Sequence, residues 1–112
     1  MVQARNESFV PVFFMPHLYA MFLIDTHTHL YLPEFNEDHD AMMQRAFNAG
    51  VQKIFLPNIE SASIENMLQL SAKYPTQCFP MIGLHPCSVK EDAGKELAVV
   101  EEYLFKKKEI KF

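Results

Sequence analysis

Short apolar runs alternate with amphipathic segments from residue 21 to residue 112, and this alternation limits the folds open to the chain. Short apolar runs between Gly, Pro and polar residues are typical of strands, whereas apolar residues three and four positions apart indicate helices. Such alternation builds a parallel sheet, because each helix returns the chain to the starting edge of the next strand. The pattern predicts strands at 22–26, 51–56 and 77–82, helices at 37–49, 62–73 and 95–107, and the opening of a fourth strand at 110–112.

Single residues predict the ends of these helices. Asn36 and Ser61 are the predicted N-caps of the first two helices, because short polar side chains satisfy the free N–H groups there. Gly50 is placed just past the first helix, where the backbone often turns left-handed. The side chains predicted to face inward follow the apolar spacing and are Met42, Met43, Ala46, Phe47, Ile64, Met67, Leu68, Ala72, Leu97, Val100 and Leu104.

Two architectures suit this order of elements, the doubly wound sheet and the (β/α)8 barrel. The doubly wound sheet often has a glycine-rich loop after its first strand, but here that loop contains no glycine. We therefore predict the α/β class and a partial TIM (β/α)8 barrel. The 112 residues supply the first three βα units and the start of strand four, whereas a complete barrel needs about 250 residues.

Two histidines and an aspartate follow the first predicted strand, which reads as a buried one. Because side chains alternate along a strand, Asp25, His27 and His29 are predicted to point to one side at its carboxyl end. Two imidazoles on one rigid edge suit a shared divalent ion. The alternative is that one histidine caps the strand and the other is solvated, but the apolar run before the motif favours a metal site.

Polar residues also follow the other two predicted strands. Asn58 comes after the second, and a Gly-Leu-His-Pro run containing His85 comes after the third. The carboxyl ends of parallel barrel strands lie on one face, so these residues are predicted to form one site with His27 and His29. His39, in the first turn of a helix, is expected to be solvated.

Composition and charge exclude several functional classes. Apolar residues make up 49% and charged residues 21% of the chain, which indicates a globular protein rather than a disordered one. The net charge of −4 leaves no basic surface that indicates nucleic acid or an anionic membrane.

Cys78 and Cys87 do not make a disulfide framework, so a reducing cytoplasm is the expected location. Cys78 is predicted to be a small buried apolar residue.

Residues 1–20 are predicted to be a poorly ordered N-terminal extension, and the domain is placed at 21–112. The apolar stretch at 9–24 invites a signal-peptide or membrane interpretation, but Pro11 and Pro16 interrupt it. It also falls short of the ~20 residues that a spanning helix needs. Cleavage near Ala20 would leave the first strand intact, so export stays open as an alternative.

The stretch 21–30, MFLIDTHTHL, resembles the opening of the TatD-type metal-dependent hydrolases, a branch of the amidohydrolase-like barrels. The resemblance covers about residues 21–112. Three further features match that family, namely Arg45-Ala46 before Gly50-Val51, a strand that ends at Pro57-Asn58, and Gly83-Leu84-His85-Pro86.

The resemblance implies a metal centre and a reaction. Members are typically deoxyribonucleases or related phosphodiester hydrolases that use two divalent metals, and Mg, Mn or Zn would serve. By resemblance, His27 and His29 bind the first metal, and His85 lines the substrate pocket near a phosphate. DNA or another phosphodiester is the implied partner. Asp25 either fixes an imidazole tautomer or closes the strand end from behind the ligands, or is a purely structural polar residue.

The same resemblance implies an incomplete catalytic set. The family's bridging Glu follows strand four, and its later His and Asp ligands lie further along. The chain is therefore expected to be a truncated form that is inactive alone. The other nearby glutamates are expected not to replace the bridging Glu, because they lie on or beside the third helix and away from the strand-end face. These are Glu91, Glu96, Glu101, Glu102 and Glu109.

Three other interpretations stay open. A structural zinc site would combine His27, His29, His85 and Cys87 as four ligands. A non-catalytic barrel fragment would serve only as a partner-binding piece. Phosphoesterases of the polymerase-and-histidinol-phosphatase type also begin with a His-x-His strand, but they usually continue with Ser-Asp-Gly, unlike the LYLP at 30–33.

Overall fold

The computed structural model describes residues 21–112, and the predicted extension lies outside the described residues. Strands and α-helices alternate in the order β1 (Leu23–Asp25), α1 (His39–Asn48), β2 (Val51–Pro57), α2 (Ile64–Lys73), β3 (Cys78–Met81) and α3 (Ala93–Phe105). Short 3-10 turns precede the three helices at Pro33–Phe35, Ser61–Ser63 and Pro86–Ser88. This order confirms the predicted α/β class.

The three strands form one parallel sheet in the order β1-β2-β3. In the register, Asp25 lies beside Ile54, and Phe55 lies beside Phe79. β2 is therefore central, with β1 along one edge and β3 along the other. A parallel sheet in sequence order is what the first strands of the predicted barrel require.

The core lies between the sheet and the first two helices. Ile54, Leu56 and Cys78 of the sheet are buried together with Met43 of α1 and Met67 of α2. Full burial of such a side chain contributes roughly 1.5–3 kcal/mol, so this small cluster holds the layers together. Of the predicted inward-facing residues, Ala72 is exposed, and Leu70 faces the core instead.

The first strand was predicted to be buried, and that prediction is wrong. Phe22 and Ile24 leave 52% and 48% of their surfaces exposed. An apolar run shows that a strand favours burial, but burial itself depends on which elements cover the strand. β1 is an edge strand that pairs only with β2 in the described sheet.

The third helix is likewise less buried than its apolar spacing predicts. Leu97 and Leu104 are largely exposed, because α3 packs mainly on the Ser61–Ser63 turn rather than on a strand. The predicted fourth strand at 110–112 is wrong for the described chain, where the Ile110 N–H donates to the Lys107 carbonyl in a turn. Among residues 21–112, no helix is both long and apolar enough to cross a membrane.

The first helix begins later than predicted, at His39. Asn36 caps the carboxyl end of the preceding Pro33–Phe35 turn, and its N–H donates to the Pro33 carbonyl. Gly50 follows the helix with a φ of +102°, as predicted, and a Cβ there would lie 3.3 Å from the Met21 carbonyl oxygen. The positive φ at this position therefore favours glycine, and the Met21 carbonyl leaves little room for a side chain.

Candidate metal centre

Backbone hydrogen bonds draw the loops after the three strands to one edge of the sheet. The Thr28 N–H, after β1, donates to the Phe55 carbonyl of β2 at 3.3 Å. The His85 N–H, after β3, donates to the Ile59 carbonyl after β2 at 2.8 Å. The side chains on these loops therefore face a common space, as predicted from their positions after parallel strands.

Three imidazoles meet in that space. The potential ligand atoms of His27, His29 and His85 all lie within 4.8 Å of one another, and this is the one such group of three or more found in residues 21–112. The ring centroids of His27 and His29 are 5.1 Å apart, and those of His29 and His85 are 5.8 Å apart. β1 ends at Asp25, however, so loop geometry rather than strand alternation brings the first two rings together.

Hydrogen bonds fix which nitrogen of His29 carries the proton. Its Nδ1 lies 2.9 Å from the Pro57 carbonyl oxygen and 3.0 Å from the Tyr31 hydroxyl, while that hydroxyl donates to the same carbonyl at 2.6 Å. A carbonyl only accepts, so Nδ1 is protonated and donates. Nε2 then keeps its lone pair, as a metal ligand must.

His85 has the opposite arrangement. The backbone N–H of Cys87 donates to Nδ1 of His85 at 3.1 Å. The neutral ring therefore carries its proton on Nε2, because Nδ1 is an acceptor. An N–H donor at that position suits an anion such as a phosphate oxygen and does not suit a cation.

Asp25 contacts the backbone rather than an imidazole ring. Its Oδ1 accepts the His27 N–H at 3.2 Å, and the side chain is exposed. This bond closes the turn after β1, and the Asp25 carboxylate is not part of the histidine group. The carboxylate thus shapes the loop on which both potential ligands lie.

Asn58 links two loops and has no amide proton left for a ligand. The side chain is 4% exposed, and its Nδ2 donates to the Glu60 and Gly83 carbonyls, each at 3.0 Å. Its Oδ1 accepts the Ser63 hydroxyl at 2.8 Å. Asn58 therefore holds the loop after β2 against the loop after β3, close to His85.

The alternative four-ligand zinc site is not assembled. Cys87 is exposed, and its sulfur does not belong to the group formed by His27, His29 and His85. The other cysteine, Cys78, is buried as predicted, and burial raises the pKa of its thiol to about 11.

Two residues near the site were missed by the sequence analysis. Tyr31 is 3% exposed, and its hydroxyl donates to the Pro57 carbonyl beside His29. Burial raises the pKa of its phenol, so the hydroxyl stays protonated at neutral pH. Its only sequence signal is its position two residues after His29.

The second missed residue is Glu96. Glu96 accepts both the backbone N–H and the hydroxyl of Ser61, although it was expected to lie away from the strand ends. Ser61 was expected to cap the second helix, which instead begins at Ile64.

Comparison with known families decides the relationship that residues 21–30 suggested. The sequence profile of the family described as TatD related DNase matches residues 24–111 of this chain. The chain belongs to this family. The match confirms the resemblance that was based on the His-x-His opening and on the Gly-Leu-His-Pro run, and it makes the chain a relative of metal-dependent hydrolases.

Three curated relatives illustrate the range of TatD-related proteins. The uncharacterized metal-dependent hydrolase YjjV of Escherichia coli (strain K12) is 35% identical over 81 residues, or 72% of this chain and 31% of that protein. The putative deoxyribonuclease tatdn3 of Danio rerio is 38% identical over 74 residues, or 66% and 27%. The 3'-5' ssDNA/RNA exonuclease TatD of Erwinia tasmaniensis is 26% identical over 78 residues, or 70% and 30%. The chain spans less than a third of each relative.

Proposed function

We propose that this chain carries the metal- and phosphate-binding strand ends of a TatD-type hydrolase that cleaves phosphodiester bonds. The observation that carries the proposal is the opposite hydrogen bonding of the Nδ1 atoms of two neighbouring imidazoles. His29 has a free Nε2 lone pair because its Nδ1 donates to Pro57, whereas Nε2 of His85 carries a proton because its Nδ1 accepts from Cys87. One ring suits a cation and the other an anion, which supports a site for a divalent ion beside a phosphate.

In this proposal each histidine has its own task. His27 and His29 bind a divalent ion, Mg²⁺, Mn²⁺ or Zn²⁺, through ring nitrogens, and Asp25 shapes their loop. His85 donates its Nε2 proton in a hydrogen bond to a phosphate oxygen and so orients the substrate. Bound divalent ions supply Lewis-acid stabilisation of the negative charge that develops on the phosphoryl oxygens during hydrolysis. The family resemblance implies two such ions in the complete site.

The proposed substrate is a nucleic acid, and a single strand fits better than a duplex. Two of the relatives are named as a putative deoxyribonuclease and as a 3'-5' ssDNA/RNA exonuclease. The net charge of −4 gives this chain no broad basic surface for tight, salt-dependent duplex binding. Recognition would then depend on a single phosphate held by the ion and by His85.

We further propose that the 112-residue chain binds an ion but turns over phosphodiesters negligibly by itself. In residues 21–112, the one group of three or more closely spaced potential metal ligands is His27, His29 and His85. His85 carries its proton on Nε2, because its Nδ1 accepts the Cys87 N–H, so two imidazoles remain as ligands. Two imidazoles leave at least half of the coordination positions of a divalent ion unfilled by protein.

Metal titration of the purified chain tests the ligand roles. We expect His27→Ala and His29→Ala to weaken Zn²⁺ or Mn²⁺ binding by more than about 100-fold. Loss of a residue that only hydrogen-bonds to a metal ligand already costs 10–100-fold in metal affinity, and loss of the ligand itself should cost more. His39→Ala is the matched control, since its ring bonds to the Leu30 carbonyl and lies outside the group. Unchanged ion affinity in both ligand variants would contradict the proposal.

A second measurement tests His85. Inorganic phosphate or a short oligonucleotide, added in the presence of the ion, should bind more weakly to His85→Ala while ion affinity itself changes little. A loss of ion binding equal to that of His29→Ala would instead make His85 a metal ligand.

A further inference from the structure

We infer that Tyr31 is a positioning residue for the metal-binding ring of His29. Its hydroxyl, together with the Pro57 carbonyl, fixes the ring orientation and the proton position that leave Nε2 of His29 free for an ion. The inference rests on the proposed function, because it concerns the ion that His27 and His29 bind in that proposal.

Three polar atoms form a closed triangle behind the His29 ring. The Tyr31 hydroxyl lies 2.6 Å from the Pro57 carbonyl oxygen, which lies 2.9 Å from Nδ1 of His29, which in turn lies 3.0 Å from the hydroxyl. Two protons are available, one on the phenol and one on Nδ1, and both can point at oxygen lone pairs. This arrangement satisfies all three atoms.

The other tautomer of His29 is unfavourable in this triangle. With the proton on Nε2, the lone pair of Nδ1 would face the Pro57 carbonyl oxygen at 2.9 Å. The Tyr31 hydroxyl would have to turn to Nδ1, and the carbonyl would then lose its 2.6 Å hydrogen bond. A half-buried polar atom without a partner costs about 1–3 kcal/mol, so the triangle selects the tautomer that can bind a metal.

Tyr31 is suited to this task because the core fixes its position. Its ring is 3% exposed and packs in the same cluster as Met43 and Leu56. It meets the His29 ring edge-on, with centroids 5.8 Å apart and planes at 84°. His29 lies in a loop beyond an edge strand, where the backbone alone orients a side chain poorly. The hydroxyl therefore anchors a loop histidine to the hydrophobic core.

Tyr31→Phe removes the hydroxyl and keeps the ring that packs in the core. Nδ1 of His29 then retains a single acceptor, the Pro57 carbonyl, and the ring orients less strictly. Loss of a partner that orients a metal-binding histidine typically costs 10–100-fold in metal affinity, and because one acceptor survives we expect a loss of about tenfold. Tyr74→Phe is the matched control, because its hydroxyl bonds to the exposed Asp40 at 2.9 Å, outside the histidine group.

The experiment measures two quantities on the purified 112-residue chain. Zn²⁺ titration gives the affinity, and NMR relaxation of the imidazole ring without metal gives the mobility of the His29 side chain. We expect the unmodified chain and Tyr74→Phe to hold the ring rigidly, and Tyr31→Phe to show a more mobile ring and weaker Zn²⁺ binding, while the Pro57 carbonyl keeps the proton on Nδ1 in all three proteins. A role of Tyr31 in packing alone would leave the ring mobility unchanged.

The outcomes separate this inference from the proposed function. If Tyr31→Phe keeps a rigid His29 ring and stays within twofold of the unmodified affinity while His29→Ala loses binding, the positioning role is overturned and the metal site stands. If His27→Ala and His29→Ala bind Zn²⁺ as well as the unmodified chain, the metal site is overturned. The mobility of the His29 ring in metal-free Tyr31→Phe then still decides whether Tyr31 positions the ring.

Discussion

The carboxylate of Glu96 accepts two hydrogen bonds from Ser61, one from its backbone N–H at 2.7 Å and one from its hydroxyl at 2.8 Å. Ser61 opens the short turn after β2, whereas Glu96 lies in the first turn of α3, 35 positions along the chain. Since α3 packs mainly on this turn, the pair is its principal polar attachment to the loops that carry the candidate site.

Removal of the Glu96 carboxylate should destabilise the fold. We expect Glu96→Ala to lower the free energy of unfolding by about 1–3 kcal/mol, because two charge-assisted hydrogen bonds are lost. Glu101→Ala, at an exposed position of the same helix, should change it by less than about 0.5 kcal/mol. Urea unfolding measures both variants, and equal midpoints would refute the attachment.

Asn58 should be among the least replaceable polar residues of the chain. Its side chain satisfies two carbonyls and one hydroxyl inside the protein, so Asn58→Ala leaves buried groups without partners. We expect a loss of about 2–3 kcal/mol in the free energy of unfolding. Asn36→Ala, at an exposed position, is the control. A chemical denaturation series decides the point, and a loss in Asn58→Ala no larger than in Asn36→Ala would count against it.

The two cysteines should differ sharply in reactivity. Burial raises the pKa of Cys78 to about 11, so at pH 8 only about one molecule in a thousand carries its thiolate. Cys87 is exposed and should react with a thiol reagent in the folded protein, whereas Cys78 should react only on unfolding. Mass spectrometry of Cys87→Ser locates the label, and rapid labelling of that variant at pH 8 would show that Cys78 is accessible.

The raised pKa of Cys78 also makes stability depend on pH in a defined window. The unfolded thiol ionises near its ordinary pKa of 9.0, whereas the folded thiol ionises at about 11. The contribution to stability is fully present below pH 9 and is lost as the pH rises towards 11, because the unfolded state releases its proton first. Melting curves of Cys78→Ala should lack this component, and an identical decline in both proteins would assign the effect to other groups.

The sheet face opposite the core should make the chain associate with itself. Ile24, Phe55 and Met81 lie on this face by strand alternation and register, and Ile24 and Met81 are nearly half exposed. Apolar patches of this kind favour association in water. Sedimentation velocity should show association that rises with concentration and falls in Ile24→Lys, whereas Leu104→Lys, on α3, should not reduce it. A monomer at all concentrations would contradict this expectation.

Joining the chain to the remainder of a relative should reveal its catalytic contribution. We expect negligible metal-dependent hydrolysis of a phosphodiester by the 112 residues alone, and turnover when they replace the corresponding part of the 3'-5' ssDNA/RNA exonuclease TatD of Erwinia tasmaniensis, to which they are 26% identical. His27→Ala in the chimera should abolish that turnover. Clear activity of the short chain that disappears in His27→Ala would show that its own ligands suffice.

The sequence predicted those parts of the fold that depend on local patterns. Each of the three strands and helices was placed within two residues of its observed ends, because apolar spacing and residues such as Gly50 act locally. The convergence of His27, His29 and His85 also followed, since the ends of parallel strands meet at one edge.

The sequence could not predict features that depend on distant partners. The exposure of Ile24 reflects what covers β1, and an apolar run carries no such information. The contact between Glu96 and Ser61 joins segments with no shared spacing. In the sequence, Tyr31 is indistinguishable from any aromatic residue in a loop, because its hydrogen-bond partner, the Pro57 carbonyl, lies 26 positions away. The proton positions on His29 and His85 likewise follow from neighbours that only the folded chain brings close.

The loop that bears His27 and His29 follows an edge strand of three residues, Leu23–Asp25. Short edge strands are where a folded protein opens locally, at a smaller free energy than global unfolding. An ion that binds only the closed form raises the free energy of that opening, by about 2.7 kcal/mol at a concentration 100 times its dissociation constant. Ion binding by His27 and His29 and local opening of β1 are therefore linked equilibria. The rate of amide hydrogen exchange along this strand should fall as the ion occupies the site.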